Sequence, residues 1–250
     1  MDKQQFFSQF RFRPELRRFV GVEREYFLVD ANGVPVPRSK EFLHAVRNPE
    51  WTFELSACQV EHRTKPRSDL GQMESDLFMA QAFAQSTART KLGCRLVALE
   101  VAPADMPLDV YPDKPRYAKI AATLPIATLL AACRVTGTHI HVGMSSMEEA
   151  VAFRDRMIPH IDRFAHMGDH TCGERLRLYH TVAGNEEPKP YGSAEAFYAD
   201  AAARGFADNP RNCWDLVRIS AHGTVELRMF GMTADTSEIR HWVETVLAYF

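Results

Sequence analysis

The sequence predicts an α+β protein, on the strength of three observations. Short stretches alternate polar and apolar side chains with a period of two, as strands with one buried face do. Longer stretches, above all 68–92 and 146–167, carry helix start and stop signals, and the first repeats apolar residues at helical spacing. Near the C-terminus two alternating stretches, 216–220 and 224–230, flank a His222-Gly223 turn and read as a hairpin.

The 250 residues are 46% hydrophobic and 25% charged, enough for one domain, 1–250, with a substantial core. Thirty basic against 32 acidic residues leave a net charge of −2, so nothing global points to nucleic acid or an anionic membrane. No apolar run approaches the roughly 18 residues of a membrane span. The start, Met-Asp-Lys-Gln-Gln, lacks the basic-then-apolar pattern of a signal peptide. Five scattered cysteines without a C-x-x-C pair read as reduced thiols in a cytoplasmic protein.

Residues 2–18, aromatic and basic, form an arm or helix before the first strand, 20–29. On that strand Val20, Val22, Tyr26 and Leu28 share one face, and Gly21, Glu23, Glu25 and Phe27 the other. A turn at 30–33 leads to an edge strand, 34–37, limited by its prolines, and then to a helix at 39–46 capped by Ser39. Strands follow at 51–54 and 57–64, the second placing Gln59, Glu61 and Arg63 on one face. Ser68 caps a helix that Gly93 ends, with Leu70, Met73, Leu77, Ala80 and Ala84 as its core stripe. An apolar strand at 95–101, a proline-rich loop at 103–115 and a helical stretch at 116–133, kinked or broken near Pro125, come next.

The strand 135–143 sets Thr136, Thr138, Ile140 and Val142 against Gly137, His139, His141 and Gly143. Its small end residues leave room around two imidazoles. A capping box, Ser146 to Glu149, opens the helix to 167. Between 168 and 210 the pattern weakens to loops and one alanine-rich helix, 193–204. In the hairpin, Val217, Ile219, Val225, Leu227 and Met229 make the core face, opposite Arg218, Thr224, Glu226 and Arg228. A helix from 237 closes the chain.

If the apolar faces pack on helices, the polar faces line one concavity. It would gather Glu23, Glu25, Glu54, Glu61, Arg63, His139, His141, Arg218, Glu226 and Arg228. Clustered carboxylates repel unless cations neutralise them, and oxygen-rich ligation with an occasional imidazole suits Mg²⁺ or Mn²⁺ better than zinc. Taken singly, each glutamate reads as a solvated strand residue and the His-x-His pair as structural histidines. A shared face on every strand is improbable on that basis. His166, His170 and Cys172 offer a weaker zinc pattern without a fourth ligand. No cysteine has a base partner in sequence, and neither a G-x-x-x-x-G-K-[ST] loop nor a G-x-G-x-x-G is present.

Gly-Val-Glu-Arg-Glu (21–25), Gln-Val-Glu-His-Arg-Thr (59–64), Gly-Thr-His-Ile-His-Val-Gly (137–143) and Gly-Thr-Val-Glu-Leu-Arg (223–228) occur in that order. Together they resemble the glutamate–cysteine ligase family of the second type, the bacterial carboxylate–amine ligase branch, over about residues 20–240. The resemblance implies a glutamine synthetase-like fold, a curved, mainly antiparallel sheet forming a funnel with helices outside. ATP enters at one end and amino acids at the other. The implied reaction is ATP- and Mg²⁺-dependent amide formation through an acyl phosphate on glutamate.

Carried over, Glu23, Glu25, Glu54, Glu61, His139 and Glu226 are metal positions, with His139 also at the nucleotide end beside His141 and Arg63. Arg228 meets the transferring phosphate, and Arg218 lines the same face. Small-molecule amino acids or amines are the expected partners, without nucleic acid or membrane, and a homodimer is compatible. Relatives are longer, so a closing helical segment is expected to be missing, and 168–212 matches poorly. Two other readings stay open: a metal-dependent hydrolase using His139 and His141 around zinc, and a shortened, non-catalytic relative.

Overall fold

A computed structural model of the chain describes residues 1–184 and 188–250. The chain runs α1 (Lys3–Phe7), β1 (Val20–Val29), α2 (Ser39–Val46), β2 (Trp51–Phe53), β3 (Gln59–Arg63), α3 (Leu70–Leu92) and β4 (Arg95–Val97). Next come α4 (Pro115–Thr123), α5 (Ile126–Arg134), β5 (Thr138–Gly143), α6 (Met147–Met157) and α7 (Ile161–Met167). It ends with α8 (Glu174–Ala183), α9 (Ala194–Ala203), β6 (Val217–Ser220), β7 (Thr224–Phe230) and α10 (Thr236–Leu247). The fold is α+β, as expected. Part of the loop reading for 168–210, residues 185–187, lies outside the described residues.

The strands form one sheet in the order β2-β3-β1-β5-β7-β6, and every pairing is antiparallel. One edge of β1 is shared. Val20 to Arg24 pair with β5, and Phe27 to Val29 pair with β4. At the gap between them the Glu25 carboxylate accepts the Gly137 N–H at 2.7 Å.

One face of the sheet is the core floor. Val20, Val22, Ile140, Val142, Val217, Ile219, Val225 and Leu227 are fully buried against the side chains of α6, α7 and α10. Tyr26, Leu28 and Val60 pack with Phe42 of α2 and Ala84 and Ala88 of α3 in a second cluster. Arg24 also points to this face, an exception to its apolar pattern. Its buried guanidinium is partly satisfied: Nη2 bonds Leu77 O at 2.6 Å and Nη1 bonds Gln81 at 2.9 Å, while Nε has no hydrogen-bond partner among the described residues.

Local chemistry moved several boundaries. Asp69, not Ser68, caps α3 by accepting the Gln72 N–H, and Gly93 in the left-handed conformation ends it. Ser39 is the first helical residue of α2 rather than its cap, and its buried hydroxyl has no partner. The Ser146 box does not close: Ser146 accepts from Glu149 N–H, but the Glu149 carboxylate turns to Ser145. Pro125 divides 116–133 into two helices, and a 3-10 turn at Ile158–His160 splits α6 from α7. The strand expected at 95–101 ends at Val97, and that at 34–37 shrinks to a single bridge, Val29 to Pro35.

The glycines of the β5 stretch make room for protein rather than ligand. A Cβ on Gly137 would strike the Arg175 guanidinium, and one on Gly143 would strike the Leu16 carbonyl. Arg175, buried in α8, donates to the carbonyls of Thr136, Arg228 and Met229. It thus ties β5 to β7 just behind the polar face.

Candidate active site

Antiparallel register decides which side chains meet, because paired residues project to the same face. Glu23 pairs with Arg63 on one side and His139 on the other. Glu25 pairs with Glu61, Gly21 with His141, His141 with Glu226, and Glu226 with Arg218. Alternation on each strand therefore becomes one continuous polar surface. Glu54, one residue past the end of β2, turns into the same space. All ten expected residues, Glu23, Glu25, Glu54, Glu61, Arg63, His139, His141, Arg218, Glu226 and Arg228, line a cavity of about 310 Å³.

The imidazoles sit between carboxylates. His139 places Nδ1 3.5 Å from Glu23 and Nε2 3.7 Å from Glu25. His141 bonds Thr224 through Nδ1 at 2.9 Å. Its Nε2 is buried without a hydrogen-bond partner, 3.4 Å from Glu23 and 4.0 Å from Glu226. Burial opposes charge on Glu23, but His141 and His139 outweigh it and hold the carboxyl well below its usual range. Burial also opposes charge on His141, yet Glu23 and Glu226 raise its pKa. In His139, burial and then Arg228 push the pKa down.

The remaining carboxylates divide by partner. Glu226 is buried but receives Nε and Nη2 of Arg218 at 2.7 and 3.0 Å, and Nη1 of Arg228. Burial works against its charge, and Arg218 and Arg228 reverse that, holding it far below the ordinary value. Arg228 also donates through Nε to the Tyr179 hydroxyl at 3.1 Å, while that hydroxyl donates to Trp214 O. At the other end, Glu54 lies beside Glu61 and opposes its charge. Burial raises Glu25, Glu54 and Glu61, and neighbouring carboxylates, Glu23 and Glu54 foremost, carry Glu61 well above its usual range.

Two groups can offer three donor atoms within 4.8 Å of one another: Glu23, His139 and Glu226, and Glu25, Glu61 and His139. The weaker zinc pattern at His166, His170 and Cys172 does not assemble among the described residues. His170 uses Nδ1 on Glu100 at 2.5 Å and Nε2 on Glu238 at 2.9 Å. A second cavity of about 280 Å³, lined by Gly21, Thr64, Gly143 and Thr224, meets the first at Glu23, Arg63, His141 and His222.

Several site residues carried no sequence signal. Tyr179 and Arg175 lie one turn apart on α8, whose place beneath β7 is a matter of tertiary packing. Tyr117, Arg116, Arg211, Trp214 and His222 also line the main cavity.

Sheet and cavity define an α+β protein with a buried carboxylate–imidazole–guanidinium face. The chain belongs to glutamate-cysteine ligase family 2 (GCS2), whose pattern matches residues 19–163. A protein of Mycobacterium sp. (strain KMS) described as glutamate–cysteine ligase 2-2 is 32% identical over 143 residues, 56% of this chain and 38% of that one. The glutamate–cysteine ligase of Halobacterium salinarum (strain ATCC 29341 / DSM 671 / R1) is 24% identical over 245 residues, 90% of this chain and 67% of that one. This chain thus spans well under half the length of some curated relatives.

Among solved structures, a bifunctional glutathione synthetase from Pasteurella multocida superposes with a TM-score of 0.65 at 12% identity, over 99% of this chain and 39% of that one. The glutamate–cysteine ligase of Francisella tularensis, in complex with AMP, gives 0.58 at 14% identity, over 95% and 68%. These two likenesses bear on the fold. Among the described residues no helix is long and apolar enough to cross a membrane.

Proposed function

We propose that residues 1–250 act as one catalytic domain, an ATP- and Mg²⁺-dependent carboxylate–amine ligase that forms an amide through an acyl phosphate, with glutamate as the carboxylate. The observation that carries this reading is the crowding of Glu25, Glu54 and Glu61 beside His139, where half-exposed Arg63, 3.6 Å from Glu61, is the one guanidinium ion-paired with any of the three among the described residues, on the chain of a ligase family. Such a donor set fits hard divalent cations, and the orphaned His141 Nε2 supplies one more inward-facing donor atom. Held there by Glu25, Glu61 and His139, Mg²⁺ would neutralise the carboxylates and supply positive charge for phosphoryl transfer.

The chain's own groups divide the rest of the work. Arg228, pinned through Nε by Tyr179 and through Nη1 by Glu226, keeps Nη2 for the transferring phosphoryl group. Arg218 places Nε and Nη2 on Glu226 and Nη1 on Cys213 O, so its part is to fix Glu226 rather than to touch substrate. The two joined cavities suit a two-ended site, nucleotide from one side and amino acids from the other, with Glu23 and His141 between them. ADP release measured with ATP, Mg²⁺, glutamate and a panel of amines tests this. Release only when carboxylate and amine are both present is expected, and a protein that never consumes ATP with any pair sinks the reading.

A further inference from the structure

Helix α4 differs from every other helix of eight or more residues in the described chain. Each of the others buries part of its apolar face in the core, whereas α4 buries no residue at all. Yet α4 is amphipathic. Tyr117, Ile120 and, at its C-cap, Leu124 recur at three- and four-residue spacing and face the site cavity, half-buried. Leu55, Val182 of α8 and the indole of Trp214 complete this wall. Trp214 is 36% exposed, among the few large apolar side chains left open to solvent. Leu55 and Leu124 also pack against the core cluster around Phe27 and Leu129, so the apolar surface left to the cavity is chiefly that of Ile120, Val182 and Trp214, which suits an apolar occupant.

The rim of the same cavity adds charge. Arg116 reaches Asn212 at 3.3 Å, and neither it nor Arg211 pairs with a carboxylate among the described residues. The floor holds the carboxylate cluster. Apolar wall and cationic rim together match one small molecule with an apolar body and a carboxylate, beside the floor where the ligase reading puts the reaction.

We propose that the amine accepted by this site is an α-amino acid with an apolar side chain, seated on Ile120, Leu124, Val182 and Trp214. The proposal rests on the ligase reading. The side chain lies on the wall, the carboxylate meets Arg116 or Arg211, and the amine faces the floor. Its nitrogen lone pair forms the C–N bond to the γ-acyl carbon as the C–O bond to the phosphoryl group breaks. Inorganic phosphate leaves with that electron pair, and the ammonium proton passes to solvent water.

The test is kcat/KM for ADP formation with ATP, Mg²⁺ and glutamate fixed, across L-alanine, L-2-aminobutyrate, L-leucine, L-cysteine and L-serine. Values should climb roughly fourfold for each methylene buried, with serine last. Cysteine should track aminobutyrate, its near-isostere. Ile120→Ser and Leu124→Ser should flatten the series. A flat series in the unaltered protein, or cysteine tenfold or more above aminobutyrate, overturns the proposal. Should no amine support ADP release, the ligase reading fails, and direct binding judges the apolar wall separately. Trp51 and Trp242 are buried, so ligand-dependent fluorescence quenching reports Trp214, with Trp214→Phe as the control. L-leucine quenching at a concentration at least tenfold below serine sustains the apolar pocket, and equal or absent quenching overturns it.

Discussion

At the β6–β7 end of the sheet, Glu226 lies in the grip of Arg218 and Arg228, charged and fixed in place. At the β2–β3 end, Glu54 and Glu61 crowd together, and the guanidinium of half-exposed Arg63 is 3.6 Å from Glu61. Both ends are buried on the same face of one sheet, so burial alone does not set their charge. The partner does. One end is preorganised by the protein's own cations, and the other holds its acids in a state that an added cation would relieve. Glu23 and His139 stand on the boundary between them.

The largest expected effect falls on a carboxylate that burial raises and that no guanidinium hydrogen-bonds among the described residues. Glu25→Gln keeps an acceptor for the Gly137 N–H but removes the charge. Turnover should fall by about 10²–10³-fold or more. Thermal stability should hold or rise, because burial already raises this carboxyl. Steady-state kinetics with a melting curve checks both, and an unchanged rate breaks the assignment. At the opposite end Arg228→Met should also lower kcat by about 10²-fold, but here stability should drop with it. Glu226 keeps Arg218, so chemical denaturation should show a loss smaller than the roughly 3–5 kcal/mol of a fully stranded buried charge.

The same contrast marks what could be read from the sequence. Period-two alternation placed Glu23, Glu25, Glu61, His139, His141, Arg218, Glu226 and Arg228 on one face, because strand geometry is local and pairing register preserves it. What neutralises each carboxylate was not readable, since partners come from residues distant in sequence. Tyr179 reaches Arg228 across 49 residues and Arg175 reaches Thr136 across 39. Nor does the hairpin pattern show that Arg228 is buried, because α8, distant in sequence, covers it. Arg24 was equally illegible, a guanidinium on the apolar face whose acceptors, Leu77 O and Gln81, lie on α3. The glycines of β5 misled because a missing Cβ looks the same in sequence whether ligand or Arg175 takes the space.

A smaller effect separates the two ends by pH. The Glu61 carboxyl is raised well above its ordinary value of 4.5 when folded, so the unfolded chain releases that proton at lower pH. Its contribution to stability is complete below the unfolded value and is lost as pH rises through the folded one. Glu226 has the opposite sign. Its pKa is depressed, so its contribution holds above 4.5 and is lost only in stronger acid. Melting curves should therefore show the metal-free protein weakening as pH climbs above the ordinary carboxylate range. Mn²⁺ should restore several degrees at the upper end of that window. Glu61→Gln should flatten the decline and remove most of the Mn²⁺ response, while a full Mn²⁺ response in that variant would assign the cation elsewhere.

The subtlest change tests whether the β6–β7 end works by charge or by geometry. Arg218→Lys keeps a cation beside Glu226 but gives up the two parallel bonds at 2.7 and 3.0 Å and the third to Cys213 O. If charge alone matters, Glu226 stays ionised and nothing measurable follows. If the fork sets the angle at which Glu226 meets Arg228, kcat should fall by about 3–10-fold, the cost of one weakened charge-assisted bond. KM for ATP should move little, since all three Arg218 nitrogens already bond Glu226 or Cys213 O. A variant whose KM rises with kcat unchanged would instead place Arg218 in direct contact with the nucleotide.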